Sequence, residues 1–208
     1  MRMWLREWAM ALGVALAVGL GPSCQPGLAL TLAESVGPGD RLGVLDSFLG
    51  EWEGRVKGSE GTSPIFRARY TRMLDGAAVL YELKVEPSPG TDLNNLILKY
   101  TYAHHTIIFW DAGVNSPRAR GVNTNGDAWD AVWTLSEPGN ADTSAGRVWT
   151  IESTILDAEG HTSAMTILKT CDGPDRFVET LQPRSEPNNP TPGPDLIIEF
   201  VRVKPAAK

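Results

Sequence analysis

The sequence predicts an all-β protein, an antiparallel up-and-down barrel of about 8–10 strands with a short N-terminal helix. Three observations lead to this prediction. From residue 50 onward, apolar and polar residues alternate with the period of two that is typical of half-buried strands. Turn sequences such as Asn125-Gly126 separate the alternating runs. No long helical pattern interrupts them, and closing the series into a barrel removes exposed edges; a flat β-sandwich is the alternative.

The short helix is predicted just before the strands begin. Leu42, Leu45 and Leu49 recur at helical spacing, and Asp40 can cap the first turn. The period changes to two at Gly50, so the helix must end there. We therefore expect a short helix through Leu49 that carries its leucines on one face.

The first strand opens with the segment Gly50-Glu51-Trp52-Glu53-Gly54. Alternation places Trp52 on the inward face and the two glutamates on the outward face. An indole can plug the end of a small barrel, and a glycine lets another backbone approach closely. We therefore predict structural roles for Gly50, Trp52 and Gly54, with Trp52 as the plug of one barrel end.

Aromatic residues fall on the apolar faces of the later strands. Trp and Tyr bring a polar group into an apolar wall, which suits a cavity for a mostly hydrophobic ligand. Arg72 continues the inward face of Tyr70 and could neutralise a ligand carboxylate near the rim, or point outward to solvent. A core filled by these side chains is the alternative to a cavity. The predicted cavity residues are Tyr70, Arg72, Tyr81, Tyr100, Trp110, Trp129, Trp133 and Trp149.

The first 29 residues have the layout of a secretory signal. Arg2 and Arg6 precede an uncharged, mostly apolar run that is shorter than the roughly 20 residues needed to span a bilayer. Gly27 and Ala29 offer small residues at a cleavage site. We expect an exported protein, periplasmic or extracellular, with residues 1–29 as signal, 30–41 as leader and 42–204 as the barrel domain.

Cys24 lies just after the apolar run, where a bacterial lipoprotein carries its lipidated cysteine. Ser23 suits that motif, but Gly21 stands where such motifs usually have Leu. Either Cys24 is lipidated, which would give the protein a membrane anchor, or it is removed with the signal. Cys171 has no obvious partner and no visible base beside it, so we expect a structural thiol.

A proline-rich loop is predicted over residues 183–194, where five prolines fall within 12 residues. Proline lacks the N–H that a sheet ladder requires, so this segment cannot enter the interior of a sheet. The loop is either a semi-rigid flap over the barrel mouth or a surface connection with no further role.

Composition and motifs exclude several classes of function. The formal net charge is −6 and there is no basic run, which argues against nucleic-acid binding. His104 and His105 are adjacent, so their side chains leave opposite faces of a strand and cannot easily hold one metal. Zinc-ligand spacings, a G-x-S-x-G elbow and a phosphate-binding loop are all missing from the sequence. We therefore predict no metal site and no catalytic residue.

The segment from Gly50 to Gly54, with the helix before it, resembles the opening of calycin (lipocalin-like) barrels, and is most similar to an uncharacterised bacterial secreted family of them. The resemblance runs along the strands as far as Val203 and implies a ligand-binding barrel that Trp52 closes at one end. Nitrobindin-like haem barrels open in a similar way. Their motif continues with a glycine where this chain has Val56, and their iron ligand is a late histidine, whereas the last one here is His161. We therefore expect no cofactor and disfavour haem.

These observations together predict an exported barrel that binds a small hydrophobic or amphipathic ligand without catalysis. One alternative is an enzyme that acts on a carbonyl compound or ester, with a tyrosine, His104 or His161 as acid or base. Another is a cell-envelope interaction module that works through its surface. The sequence does not define the oligomeric state or the ligand.

Overall fold

The computed structural model describes residues 41–59, 63–86, 103–137, 145–184 and 195–204. Within these ranges ten strands form one antiparallel sheet that closes on itself as a barrel. Each strand pairs with its neighbours in the chain, and the first pairs with the last. This arrangement confirms the predicted up-and-down barrel. The strands are β1 (Gly50–Val56), β2 (Ile65–Met73), β3 (Ala78–Glu86), β4 (Ala103–Asp111), β5 (Ser116–Asn123), β6 (Ala128–Glu137), β7 (Val148–Leu156), β8 (Thr162–Cys171), β9 (Arg176–Pro183) and β10 (Leu196–Arg202).

The alternating sequence pattern becomes the two faces of the barrel wall. On β2, Phe66, Ala68 and Tyr70 are buried, whereas Arg67 and Arg69 between them are exposed. The outward charges pair across strands; for example, Arg67 bonds the Glu53 carboxylate at 3.1 Å. Such exposed pairs contribute little to stability, so the apolar interior provides most of the driving force for folding.

The predicted short helix is present as a 3₁₀ helix over Leu42–Phe48, and it packs against one end of the barrel. Its Leu42, Leu45 and Phe48 side chains are buried in the core. Trp52 donates its Nε1 hydrogen to the Phe48 carbonyl at 2.7 Å. The indole therefore not only packs in the core but also links the 3₁₀ helix to β1 by a hydrogen bond.

Arg202, at the end of β10, secures the same junction. Its guanidinium donates to the carbonyls of Ser47, at 2.7 Å, and of Leu49. It also lies 4.2 Å above the Trp52 ring, where a cation–π contact is favourable. The Arg202 side chain of the last strand thus holds the 3₁₀ helix in place by bonding backbone carbonyls at the end of the helix.

The two glycines that flank Trp52 are needed for different physical reasons. Gly50 has φ +115°, a conformation that residues with a side chain rarely adopt. At Gly54, a Cβ atom would lie 2.6 Å from the Phe200 ring, which packs across this strand. One glycine serves the turn out of the 3₁₀ helix, and the other makes room for a core aromatic ring.

Several predicted segments lie outside the described residues. These are the signal over residues 1–29, almost all of the leader, Tyr100 and positions 185–194 of the proline-rich loop. Pro183 itself is the last residue of β9. In the described part of the chain, no helix combines the length and apolar character needed to cross a membrane.

Candidate ligand-binding cavity

A cavity of about 130 Å³ lies inside the barrel, in the half away from the 3₁₀ helix. Strands β2 to β10 all contribute to its wall. Most of the lining is apolar and includes Ile151, Ile155, Ile167 and Leu181. The two predicted alternatives, a cavity and a filled core, therefore apply to different parts of the barrel. Side chains fill the end next to the 3₁₀ helix, and the cavity lies in the opposite half.

A buried ion pair lies at the floor of this cavity. Lys169 on β8 and Glu179 on β9 are directly opposite in register, and Nζ lies 2.7 Å from Oε1. Lys169 Nζ also donates to the hydroxyl oxygen of Tyr70. Desolvation of two charges is expensive, and their close pairing offsets that cost. The pair therefore makes the floor polar while leaving it with no net charge.

Aromatic rings surround the Lys169 ammonium group. Five ring centroids lie between 4.8 and 5.4 Å from Nζ, all within the range of a cation–π contact. They stabilise the charged form of Lys169 from the sides that Glu179 leaves open. These rings belong to Phe48, Tyr70, Tyr81, Trp133 and Phe177.

Two tyrosines and a histidine connect the floor to the wall. Tyr70 stacks on Tyr81 at 4.4 Å, Tyr81 meets the edge of His104 at 5.0 Å, and His104 lies 4.8 Å from Trp129. Burial, with a smaller effect from the Glu179 charge, raises the pKa of Tyr70 and of Tyr81 well above the usual tyrosine value. Both hydroxyls therefore stay protonated at neutral pH.

His104 is neutral in this setting. Burial is the main cause that lowers its pKa to about 3, and the charges of His105 and Lys169 add to the effect. Its Nε2 atom has no hydrogen-bond partner among the described residues, and the same is true of Thr106 Oγ1 and Trp133 Nε1. All three side chains line the cavity. The cavity wall therefore holds polar groups whose hydrogen-bonding capacity the described protein does not use.

Gly121 on β5 creates the space in which Trp129 lies. A Cβ atom at this position would come 2.4 Å from the Trp129 ring and 2.6 Å from Thr106 Oγ1. The indole therefore packs against the β5 backbone at Gly121, and it forms part of the cavity wall. This glycine had no evident role in the sequence.

The predicted cavity residues divide into two groups. Tyr81, Trp129 and Trp133 line the cavity. Tyr70 lies beneath the lining, where it binds Lys169. Trp110 and Trp149 also lie outside the lining, half-buried and buried respectively. The role of each in binding a ligand stays a prediction.

Arg72 lies outside the cavity and contacts the 3₁₀ helix. Its guanidinium forms an ion pair with Asp46 of the 3₁₀ helix and donates to the Gly76 carbonyl at 3.0 Å. It is not part of the cavity lining. This placement gives no support to a contact between Arg72 and a ligand carboxylate, because the cavity occupies the other half of the barrel.

Sequence reasoning missed Lys169 and Glu179, although a signal was present. Each charged residue interrupts the apolar inward face of its strand. A hairpin turn after Cys171 brings the two positions opposite each other. A lysine and a glutamate at facing inward positions predict a buried ion pair, but only once the hairpin register is known.

The other candidate histidine lies on the surface. His161, in the turn between β7 and β8, has 80% of its side chain exposed, and its Nδ1 lies 3.0 Å from the Asp157 carboxylate. The ligand atoms of Asp157, Glu159 and His161 lie within 4.8 Å of one another. Asp157 also accepts backbone hydrogen bonds from the other two residues, so turn formation explains this grouping.

Comparison with known proteins leaves the family open. No family model matches the chain, and no curated protein matches it at a significant level. The closed ten-strand antiparallel barrel is consistent with a calycin-like barrel. Any function must therefore be inferred from the residues of the cavity.

Proposed function

We propose that this protein binds one small, mostly apolar molecule inside the barrel and that it works after export from the cytoplasm. The observation that carries the proposal is the cavity of about 130 Å³ between the Lys169–Glu179 pair and the end of the barrel away from the 3₁₀ helix. Apolar walls favour a hydrophobic occupant, and a few placed polar groups orient it.

The volume of the cavity sets the size of the occupant. An engineered protein cavity of about 150 Å³ holds a benzene molecule. The barrel cavity is close to that size, so a single substituted ring or a short branched chain suits it. A long fatty acid would have to extend beyond the described walls.

The size of the cavity supports a ligand smaller than haem. His104 Nε2 has the chemistry of an iron ligand, since it is neutral and without a partner among the described residues. A porphyrin, however, is several times larger than the benzene molecule that a cavity of about this volume holds. The expectation that no cofactor binds stays a prediction.

The residues that the structure describes do not show an oriented acid–base pair that would favour an enzyme. His104 and Glu179 both line the cavity, but among the described residues no hydrogen bond joins a carboxylate to His104. An acid–base pair would need such an orientation or a substrate between the two groups. The enzyme and the envelope interaction module stay alternative hypotheses.

Titration with p-xylene and p-cresol tests the binding proposal. Both are near benzene in size, and tryptophan fluorescence reports their entry because Trp129 and Trp133 line the cavity. We expect saturable binding of at least one compound with a stoichiometry of one, measured also by calorimetry. If neither compound nor any other small apolar molecule in a panel binds, the proposal is wrong.

A matched pair of variants locates the site. Ser153→Leu places a larger side chain into the cavity, and we expect it to abolish binding. Thr154→Leu makes a similar change at the adjacent exposed position of β7 and should leave binding unchanged. Equal affinity in both variants would place the ligand outside the barrel.

Export is tested separately by mass spectrometry of the protein made in a bacterial host. We expect a mature chain that begins near Leu30, or one that begins at a lipidated Cys24. A chain that retains Met1 and stays in the cytoplasm would contradict this part of the proposal.

A further inference from the structure

The Lys169–Glu179 pair presents its two partners unequally to the cavity. Only 2% of the Lys169 side chain is exposed, against 9% of the Glu179 side chain. Glu179 points inward and lines the cavity, so this exposed surface faces the space where a ligand would lie. A ligand in the cavity can therefore reach the carboxylate more readily than the ammonium group.

Glu179 also keeps an unused acceptor. Lys169 engages Oε1, and no donor among the described residues engages Oε2. An ionised carboxylate accepts hydrogen bonds and donates none. Glu179 Oε2 at the floor of the cavity is thus an acceptor to which a ligand can donate a hydrogen bond.

Lys169 has little to offer a ligand. Its ammonium group is committed to Glu179 and to the Tyr70 hydroxyl. Its remaining sides face aromatic rings, of which Phe177 is the nearest at 4.8 Å. Lys169 also lines the cavity, but a ligand carboxylate would compete there with Glu179 for the ammonium group and would lie beside the negative charge of Glu179.

The neutrality of the pair disfavours charged ligands of either sign. An anionic ligand would be repelled by Glu179. A cationic ligand would find no unpaired negative charge in the cavity, because Lys169 already neutralises Glu179. An unpaired charge in such a place carries a large desolvation cost. A neutral hydroxyl supplies a donor hydrogen without adding a charge.

We propose that the occupant is a neutral, mostly apolar molecule with one hydroxyl group, an alcohol or a phenol, that donates its hydrogen to Glu179 Oε2. This inference rests on the proposed binding function and specifies the chemical class of the ligand. The apolar body would lie against the isoleucine-rich wall, and the hydroxyl would lie at the floor.

Four isosteric or similar compounds test the inference on the native protein. In p-cresol a hydroxyl replaces one methyl group of p-xylene, and 4-fluorotoluene has fluorine there, so only p-cresol has a donor hydrogen. A purely apolar cavity would prefer p-xylene, because water solvates the hydroxyl of p-cresol better. We expect p-cresol to bind about tenfold more tightly than p-xylene or 4-fluorotoluene, as for a hydrogen bond to a charged acceptor. Benzoate, the anionic probe, should bind with an affinity at least about tenfold lower than that of p-cresol.

A double variant removes the acceptor without leaving a lone buried charge. Lys169→Met with Glu179→Leu should fold, and in it p-xylene should bind at least as tightly as p-cresol. Circular dichroism checks the fold, and the order of affinities in the native protein is decisive even where this variant does not fold.

Each result has one meaning. A preference for p-cresol supports the inference. Binding of p-xylene or 4-fluorotoluene as tightly as p-cresol, or tighter binding of benzoate, overturns the inference and leaves the binding function standing. Failure of all four compounds, together with the wider panel, overturns the binding function and the inference with it.

Discussion

Lys169 Nζ lies 2.7 Å from Glu179 Oε1, and the two residues face each other across β8 and β9 inside the barrel. Removing only one partner leaves an unpaired charge in an apolar site. We expect Glu179→Leu alone to lower the free energy of unfolding by about 3–5 kcal/mol. Urea denaturation measures this loss.

The double variant Lys169→Met/Glu179→Leu is the control for that prediction. It replaces both charges by apolar groups of similar size, so most of the lost stability should return. If the double variant instead loses as much stability as Glu179→Leu and Lys169→Met lose together when each is made alone, the two residues act independently and do not stabilise each other as a pair.

His104 makes stability depend on pH. Its pKa is about 3 in the folded protein and near its usual value of 6.5 when unfolded, so unfolding takes up a proton between these values. The stability contribution is fully present above pH 6.5 and is lost as the pH falls toward 3. We expect the free energy of unfolding to fall by up to about 1.4 kcal/mol per pH unit in this window because of His104.

The variant His104→Phe isolates this effect from that of the carboxylates. Its stability should depend less steeply on pH than that of the native protein between pH 6 and about 4, as measured by urea denaturation at each pH. His161→Gln is the control, since His161 is largely exposed. Parallel pH profiles for native protein and His104→Phe would show that His104 is not held neutral.

Gly54 is predicted to be intolerant of any side chain. In Gly54→Ala the new methyl group would lie 2.6 Å from the Phe200 ring, so ring or strand must move. We expect a loss of about 1–3 kcal/mol in the free energy of unfolding. At Gly43 the nearest atom to such a methyl group is 3.8 Å away, so Gly43→Ala should change stability by less than about 0.5 kcal/mol. Equal effects would refute the packing explanation.

Gly121 links the fold to the cavity. Gly121→Ala should push the Trp129 ring away from β5, which would shift tryptophan emission and weaken the binding of p-cresol. The strain should also cost about 1–3 kcal/mol of stability. Val122→Ala, at the neighbouring exposed position, serves as the control. Unchanged emission and affinity in Gly121→Ala would mean that Trp129 does not form the cavity wall.

Local patterns were enough to predict the barrel, because alternation and turn residues report directly on strands. They also placed Trp52 inward, where its indole is buried. The Lys169–Glu179 pair depends on hairpin register, and Arg72 bonds Asp46, which precedes it by 26 residues. Such contacts depend on how separate elements are positioned against one another, so the alternating pattern of one strand does not reveal them.

A crystal structure of the protein grown with p-cresol would show whether the ligand lies inside the barrel. We expect one p-cresol molecule in the cavity, with its hydroxyl oxygen within hydrogen-bond distance of Glu179 Oε2 and its ring against Ile151 and Ile155. A cavity that stays empty at saturating p-cresol, or a molecule bound only on the outer surface, would contradict this expectation.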